Sequence, residues 1–208
     1  MKSRTREQRV KAQDDHYALL TELRSNSSLR VWEAAKRVRP DDVGLIPALV
    51  QQLKKAKMTL HRVAAAYALG SLGTRRGVSA LEEALGDKNE WPVVRGHCAE
   101  ALALLGSNRS IPLLVRCLKD ESRAVRFWSA YALGVAGTLD RRQAAIALPT
   151  LRRLSHDNHR VKYWWSVGDE ARWAIAKITG RQAEADALER RIEHEMEALR
   201  QKARRRKR

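Results

Sequence analysis

Long apolar runs are missing from this 208-residue sequence, and no stretch approaches the roughly 18 apolar residues that a membrane-spanning helix needs. The first 20 residues contain no apolar segment that leads to a small-residue cleavage site, so we expect no secretory signal and a cytoplasmic protein. Cysteine is also scarce: Cys98 and Cys117 each lie in an Ala/Leu-rich helical pattern and outside any CxxC pair. We therefore expect buried, reduced thiols, no zinc or other metal site and no cofactor.

Acidic residues are few relative to basic ones: 24 Asp and Glu face 41 Lys and Arg, for a formal net charge of +17. Both ends contribute, but residues 13–180 still contain 26 basic and 17 acidic residues. Such a field favours polyanionic partners, namely nucleic acid, acidic protein surfaces or anionic lipid.

The sequence repeats an Ala/Leu-rich helical pattern that ends at glycine. Its four copies are Arg62–Gly73, Val94–Gly106, Val125–Gly137 and Asp169–Gly180, and a weaker copy ends at Pro40. The closing glycines are 33, 31 and 43 residues apart. A helix that stops at glycine is typical of an αL C-terminus, so each copy predicts one helix.

Partner helices are expected between these copies, over residues 45–56, 77–87, 110–120 and 146–157. Three of them carry proline at the same place, at Pro47, Pro112 and Pro149, which predicts helix starts there. The unit is thus a pair of antiparallel helices of about 30 residues, and stacking of such pairs is needed to bury their apolar faces. Further helices are expected over 5–24 and 181–206, the latter with an apolar stripe at Ala185, Leu188, Ile192, Met196 and Leu199.

The repeats resemble the HEAT family, specifically the short bacterial HEAT-like repeats also found in phycobilin lyases. The pattern D…VR..A..ALG..G is nearly intact at 87–106 and 120–137. The resemblance implies an all-α, right-handed α-solenoid of about five helical pairs with flanking N- and C-terminal helices. The predicted division is a basic N-terminal segment and opening helix (1–27), the repeat array (28–180) and a charged C-terminal helix with a basic tail (181–208).

The same resemblance implies a structural ladder in which a turn aspartate bonds an arginine of the second helix. Asp120 with Arg126 fits that spacing, and Asp87 with Arg95 fits with two extra residues. Lys162 and Arg172 are uncertain substitutes in the last repeat.

The resemblance also implies that the second helices line a concave binding surface. Positions that the repeat pattern leaves variable there are Tyr67, His97, Phe127, Trp128 and Tyr131, although Phe127 or Trp128 could instead pack between repeats. The long connection of the last repeat, 156–173, mixes cations with aromatics, and we predict binding by Arg160, Lys162, Tyr163, Trp164 and Trp165. The alternative for this connection is an apolar plug over the end of the core.

Two basic features are further candidates. The tail carries Arg200, Lys202, Arg204, Arg205, Arg206, Lys207 and Arg208, which could bind phosphates or simply be solvated. A basic stripe on the first helices, made of Lys54, Arg116, Lys119, Arg152 and Arg153, is interrupted by Glu82 and Glu83 and is most simply a solvated outer face.

No catalytic residue is predicted. HEAT-like DNA glycosylases use tryptophan and a carboxylate, but no motif singles out Glu100, Asp169 or Glu170. Deoxyhypusine hydroxylase, a HEAT-repeat di-iron enzyme, uses recurring His-Glu pairs within its repeats, whereas the only pair here is His194–Glu195, outside them. The sequence therefore predicts a non-catalytic scaffold or adaptor whose partner is a protein, with no small-molecule substrate. The alternative is a nucleic-acid-binding solenoid, or less favourably a glycosylase.

Overall fold

A computed structural model describes residues 6–161 and 165–205, which form α-helices, 3₁₀ turns and one isolated β-bridge. The chain divides into two compact units, residues 1–105 and 106–208. The first contains α1 (Arg6–Glu22), α2 (Ser28–Arg37), α3 (Ile46–Lys55), α4 (Thr59–Ser71), α5 (Val78–Gly86) and α6 (Pro92–Leu104). The second contains α7 (Ile111–Cys117), α8 (Arg123–Leu139), α9 (Arg141–Ala144), α10 (Leu148–Leu154), α11 (Val167–Thr179) and α12 (Gln182–Arg205).

The helices follow one repeated order, in which a first helix (α3, α5, α7 or α10) leads into a second helix (α4, α6, α8 or α11). Pro47, Pro112 and Pro149 lie in the first turn of α3, α7 and α10, where proline's missing N–H costs no helical hydrogen bond. A 3₁₀ turn precedes each first helix. The elements therefore begin where the spacing of proline predicts.

Apolar side chains at repeated positions form the core of each unit. The leucines that recur in the first helices, Leu53, Leu85, Leu118 and Leu154, are at most 9% exposed. Alanines such as Ala65 and Ala130 are fully buried in the second helices, where a small side chain lets neighbouring helices approach closely. The repeated Ala/Leu pattern is thus the pattern of the core.

The closing glycines do not all have the predicted role. Gly73, Gly106 and Gly180 adopt positive φ (63°, 57° and 76°), as glycine at a helix end commonly does. Gly137 differs, because α8 continues past it to Leu139. A Cβ at Gly137 would lie 2.6 Å from Cγ1 of Ile178, so this glycine serves close packing of α8 on α11, and the predicted helix end there is wrong.

The connection in the last repeat is shorter than the predicted 156–173, because α11 already begins at Val167. The side-chain hydroxyl of Ser166 caps α11 by accepting the N–H of Asp169 (3.0 Å). An isolated bridge between Arg160 and Ser166 folds the preceding segment back on itself. The rest of the long step is taken up by the extra helix α9.

An arginine of each second helix donates to a backbone carbonyl at the end of the first helix of the same pair. Arg62 bonds the oxygen of Ala56, Arg95 that of Leu85, Arg126 that of Asp120 and Arg172 that of Ser155. Since the last carbonyls of a helix have no partner within it, each arginine completes the helix end and ties the pair together.

None of the helices in the described part of the chain has the length and apolar character needed to cross a membrane.

Candidate binding site on the second helices

Four side chains of the first unit form a half-buried group that we call the aromatic–acid cluster: Trp32, Tyr67, His97 and Glu100. The ring centroid of Trp32 lies 5.8 Å from that of Tyr67, in an edge-on arrangement, and 5.9 Å from that of His97. His97 Nδ1 lies 2.8 Å from Glu100 Oε2, and the two side chains are 22% and 21% exposed. The helices α2, α4 and α6 thus present aromatic rings and one carboxylate together.

The local sequence explains this placement. Tyr67 and Glu100 both stand immediately before the Ala-Leu dipeptide of their repeat copies, so they occupy equivalent positions of α4 and α6. Trp32 lies in α2, a helix with a pronounced apolar face whose Val31, Ala34 and Ala35 are buried. The indole is left at the border of that face, where it reaches Tyr67.

Aromatic faces beside a carboxylate suit a cation. The negative face of an indole or phenol ring attracts an ammonium or guanidinium group, and a carboxylate supplies a charge-assisted hydrogen bond. The second unit already shows the first of these contacts, since Nζ of Lys177 lies 5.4 Å from the ring centroid of Trp173.

The second unit carries its own aromatic group, but it is more closed. Tyr131 stacks on Trp173 at 5.6 Å between ring centroids, and Trp128 meets Tyr131 edge-on at 5.7 Å. The indole N–H of Trp173 donates to Glu189 of α12 (2.5 Å). Trp128 and Trp173 are each only 8% exposed. This group is therefore mainly packed against its own chain.

Phe127 and Trp128, for which the sequence left open contact with a partner or packing between repeats, are both buried. Phe127 is 1% exposed, and its ring meets Trp128 and Trp165 at centroid distances of 5.1 and 5.6 Å. Large aromatic rings at these positions fill the space between α8 and the segment before α11, which was the packing alternative. Trp165 is partly exposed beside Phe127.

A carboxyl group is buried behind Trp165. Glu170 of α11 is 0% exposed, and burial raises its pKa from the ordinary value of 4.5 to about 8. The indole of Trp165 offsets part of this rise in pKa, whereas the charges of Asp169 and Glu189 add to it. Glu170 is thus a neutral acid at pH 7, shut away from solvent.

The connection before α11 contains a polar cavity. A volume of about 580 Å³ is lined by Arg126, His156, Asp157, Asn158 and His159. The carboxylate of Asp157 accepts from Arg126 (2.7 Å) and lies 2.7 Å from His159 Nδ1. Burial alone would raise the pKa of Asp157, but its hydrogen bonds to His159 and Arg126 outweigh that and lower it. The cavity's charges therefore satisfy one another.

The other predicted residues of this connection and of the tail are placed as follows. Arg160 is exposed and pairs with Glu195 of α12 (3.0 Å). Lys162, Tyr163 and Trp164 lie outside the described residues, and so do Arg206, Lys207 and Arg208. The positions of Arg200, Lys202, Arg204 and Arg205 continue the helical backbone of α12.

The four residues of the expected ladder make mainly backbone contacts. The carboxylates of Asp87 and Asp120 accept the N–H groups of Asn89 (2.9 Å) and Ser122 (3.0 Å) in their own turns. Arg126 donates to the backbone oxygen of Asp120, and its acidic partner is Asp157 in the turn of the following helical pair. Sequence reasoning missed the matching pair of Arg62 with Glu90 (3.0 Å), although Arg62 also begins a repeat copy.

Sequence reasoning also missed Trp32, the centre of the aromatic–acid cluster. The signal was present, because Trp32 is the single aromatic residue of the weak copy that ends at Pro40. Glu100 was considered only as an acid for base excision.

The HEAT-repeat family model matches residues 18–103, 46–134 and 91–166, which together span most of the sequence. The chain belongs to the HEAT-repeat family, and the predicted all-α solenoid is confirmed. Among solved structures, the complex of CpcE and CpcF of phycocyanin lyase from Nostoc sp. is similar, with a TM-score of 0.60 and 22% identity over 90% of this chain and 70% of that one. An engineered protein matches with a TM-score of 0.54 and 20% identity over 79% of each chain. At these identities the likeness shows the fold alone.

Curated relatives are named deoxyhypusine hydroxylase. The protein from Neurospora crassa is 33% identical over 112 residues, 52% of this chain and 35% of that protein. Those from Eremothecium gossypii (38% over 68 residues, 33% and 21%) and Drosophila pseudoobscura (35% over 79 residues, 38% and 26%) share shorter segments. The chain spans about a fifth to a third of the length of these relatives. Since they are enzymes, the prediction of a non-catalytic scaffold, and of no enzymatic function, is wrong.

The described residues do not supply the donors of a two-iron centre. Nowhere in residues 6–161 and 165–205 do three or more His, Cys, Asp or Glu side chains come together as they would around a metal ion. None of the repeat copies contains a His-Glu pair, because the one pair in the sequence, His194–Glu195, lies outside them. The side chains present do not fit a two-iron centre, and no reaction step at iron is derived from them.

Proposed function

We propose that this chain is an enzyme, or a subunit of one, that acts on a protein and binds a cationic side chain of that protein at the aromatic–acid cluster. The observation that carries the proposal is the partly exposed group in which Trp32 meets Tyr67 and His97, and His97 meets the carboxylate of Glu100. Rings and a carboxylate together recognise an amine by its charge and by its apolar stem.

The relatives support the same substrate class. Deoxyhypusine is a lysine side chain extended by an amine-bearing arm, and it is therefore a long, flexible cation. A side chain of this kind could lie along the rings of Trp32 and Tyr67 and place an ammonium group at Glu100. Cys98 and Cys117 are buried and form no disulfide, which is compatible with a reducing compartment such as the cytoplasm.

Binding of a peptide that contains deoxyhypusine tests the proposal, with the same peptide carrying unmodified lysine as comparison. We expect tighter binding of the deoxyhypusine peptide in fluorescence anisotropy. Glu100→Gln should weaken this binding about tenfold, because it removes the charge but keeps the shape. Glu33→Gln is the matched control, since Glu33 is exposed on α2 beside Trp32 and outside the cluster.

A second measurement on the same samples asks whether the chain converts the bound peptide to a product. Mass spectrometry after incubation with the chain, ferrous iron and air reports any gain of an oxygen atom by the peptide. Such a gain would indicate an enzyme in its own right, whereas binding without gain would indicate a substrate-binding subunit. If the wild-type chain binds neither peptide, or if Glu33→Gln and Glu100→Gln weaken binding equally, the proposal is wrong.

A further inference from the structure

The first helices of the second unit and the residues next to them carry a group of basic side chains. We call it the basic layer; it comprises residues 111–119 and 141–155, that is α7, α9, the 3₁₀ turn Ala145–Ala147 and α10 with their adjoining residues. The turn contacts α7, α9 and α10, so these short elements form one continuous layer. Within these bounds there is no Asp or Glu, and the basic residues are all exposed: Arg116, Lys119, Arg141, Arg142, Arg152 and Arg153. Two aspartates flank the layer, and their carboxylates accept backbone N–H groups of their own turns: the buried Asp120 from Ser122, and Asp140 from Gln143.

These six cations have no acidic partner within the part of the chain that the structure describes. Arg153 makes one long hydrogen bond to the hydroxyl of Thr150 (3.4 Å). Several other cations of the unit are paired, as Arg126 is with Asp157 and Arg172 with Asp169, each at 2.7 Å. In the first unit Lys54, the other member of the predicted basic stripe, pairs with Glu83 (2.5 Å). The basic layer therefore groups six exposed cations without a neighbouring ion pair among the described residues on one short set of elements.

Two large aliphatic side chains stand exposed at this layer. Ile146, in the 3₁₀ turn between α9 and α10, is 57% exposed, and Leu139, at the end of α8 just before α9, is 61% exposed. Leu139 stands two residues before Arg141, and Ile146 stands four residues after Arg142. The layer thus combines exposed cations with exposed aliphatic side chains.

The composition of the layer indicates the kind of partner. A protein surface mixes both charge signs, so a layer in which cations far outnumber carboxylates matches a surface of uniform negative charge better. Bases of nucleic acid stack on aromatic rings, and the basic layer contains no aromatic residue. An anionic bilayer offers phosphates for the arginines and an acyl boundary for exposed aliphatic side chains.

We propose that the basic layer of the second unit binds an anionic lipid surface, with the arginines at the phosphates and with Ile146 and Leu139 at the acyl boundary. Six cations fall within the range of basic clusters that associate with anionic leaflets. This interaction is independent of the site on the first unit, and it would hold the chain at a membrane face without spanning it.

Sedimentation with lipid vesicles tests the proposal. The full chain should sediment with vesicles of phosphatidylcholine containing phosphatidylglycerol, should not sediment with phosphatidylcholine alone, and should be released by salt. The double variant R152Q/R153Q should bind at least about tenfold more weakly, because each cation near an anionic surface contributes independently. R75Q/R76Q is the matched control, since Arg75 and Arg76 are adjacent, exposed arginines of the first unit and their loss changes the net charge equally.

A second variant separates lipid from other polyanions. Ile146→Ser should weaken vesicle binding about fivefold by removing apolar contact with the acyl boundary. Leu29→Ser, at an exposed leucine of α2 (67%), should leave it unchanged. The changes are at exposed positions, and circular dichroism should show native helix content in all of them. The proposal is overturned by absent vesicle binding, by equal losses in the two arginine pairs, or by a vesicle affinity that Ile146→Ser does not alter. Tighter binding of a DNA duplex than of vesicles would also overturn it.

Discussion

At the scale of single residues, Glu170 has the most unusual environment of the chain. Its carboxyl is wholly buried at the start of α11, and the nearby Asp169 and Glu189 add negative potential. A buried carboxyl without a cation beside it keeps its proton, because ionisation in an apolar setting is unfavourable. The segment that carries Trp165 covers this group, so the protonation of Glu170 is coupled to the packing of that segment.

The pKa of Glu170 predicts how stability depends on pH. Because the pKa is raised from 4.5 in the unfolded chain to about 8 in the folded one, the folded state holds more protons between these values. The contribution is therefore complete below about pH 4.5 and is lost as the pH rises towards 8. Relative to Glu170→Gln, the wild type should lose on the order of 1 kcal/mol or more over this interval, measured by urea unfolding at a series of pH values.

Glu193→Gln provides the comparison for Glu170→Gln, since Glu193 is exposed on α12. Its unfolding free energy should follow the wild-type pH profile. An unchanged profile in Glu170→Gln would show that Glu170 is ionised in the folded protein.

Residue-scale environments were the hardest to predict from the sequence. Trp32 and Glu170 occupy positions that local periodicity describes equally well as surface or core. The burial of Glu170 depends on Trp165 and on α12, which approach it only in the tertiary structure. By contrast, the prediction of two buried thiols rested on the Ala/Leu-rich surroundings of Cys98 and Cys117, and both are buried.

At the scale of helices, the recurring arginine connects the two helices of its own pair. In two cases it also binds an acid in the turn of the following pair. Arg126 donates to the backbone oxygens of Asp120 (2.8 Å) and Glu121 (2.9 Å) and also to the carboxylate of Asp157. Arg62 makes the corresponding contacts with Ala56 and Glu90 in the first unit. Arginine suits this role because its planar group presents several donors in fixed directions.

Replacement of Arg126 by glutamine should therefore destabilise the protein by about 2–4 kcal/mol, since it leaves the largely buried Asp157 without its cation and two carbonyls without their donor. Chemical unfolding would measure this. Arg123→Gln, one turn earlier on α8 and exposed, should change stability by less than about 0.5 kcal/mol. Equal effects of the two variants would contradict the bridging role of Arg126.

Helix positions followed from the sequence where a local signal existed. Pro47, Pro112 and Pro149 begin helices for a reason contained in the residue itself. Gly137 misled, because glycine at a helix end and glycine at a close helix contact look alike in sequence. Only the presence of Ile178 against α8 distinguishes the two.

At the scale of the whole molecule, the second unit ends in a helix that covers its last pair. Ala185 and Ile192 of α12 are 0% and 2% exposed, and Asp169 of α11 accepts hydrogen bonds from Arg172 and from Arg191 of α12. The terminal repeat of an array leaves an apolar face that must be covered, and α12 covers it here.

Ile192→Ala should accordingly destabilise the protein by about 2–4 kcal/mol through the cavity it leaves under α12. Thermal or urea unfolding would detect this loss. Leu199→Ala, farther along α12 at a 45% exposed leucine, is the matched control and should have little effect. A loss in Leu199→Ala as large as that in Ile192→Ala would mean that the far end of α12 also carries the contact.

At the scale of the whole molecule, function was harder to predict from the sequence than the fold was. Repetition of one pattern was enough to identify the HEAT fold, because each copy carries the same core positions. The prediction of a non-catalytic scaffold rested on missing catalytic motifs, and the enzymatic relatives overturned it. Side chains that come from different helices, such as Trp32 and Glu100, have no fixed spacing along a chain and therefore form no motif.

The bond from each arginine to the carbonyl of its own helical pair has a consequence for how such a chain can change over generations. Arg62, Arg95, Arg126 and Arg172 each find their acceptor 6, 10, 6 and 17 residues upstream, inside the same pair. A duplicated or deleted pair would therefore bring or remove both donor and acceptor together. For this bond a gene segment that encodes one pair carries its own acceptor when it is copied, whereas the links of Arg62 to Glu90 and of Arg126 to Asp157 run to the following pair and depend on what the neighbouring copy carries.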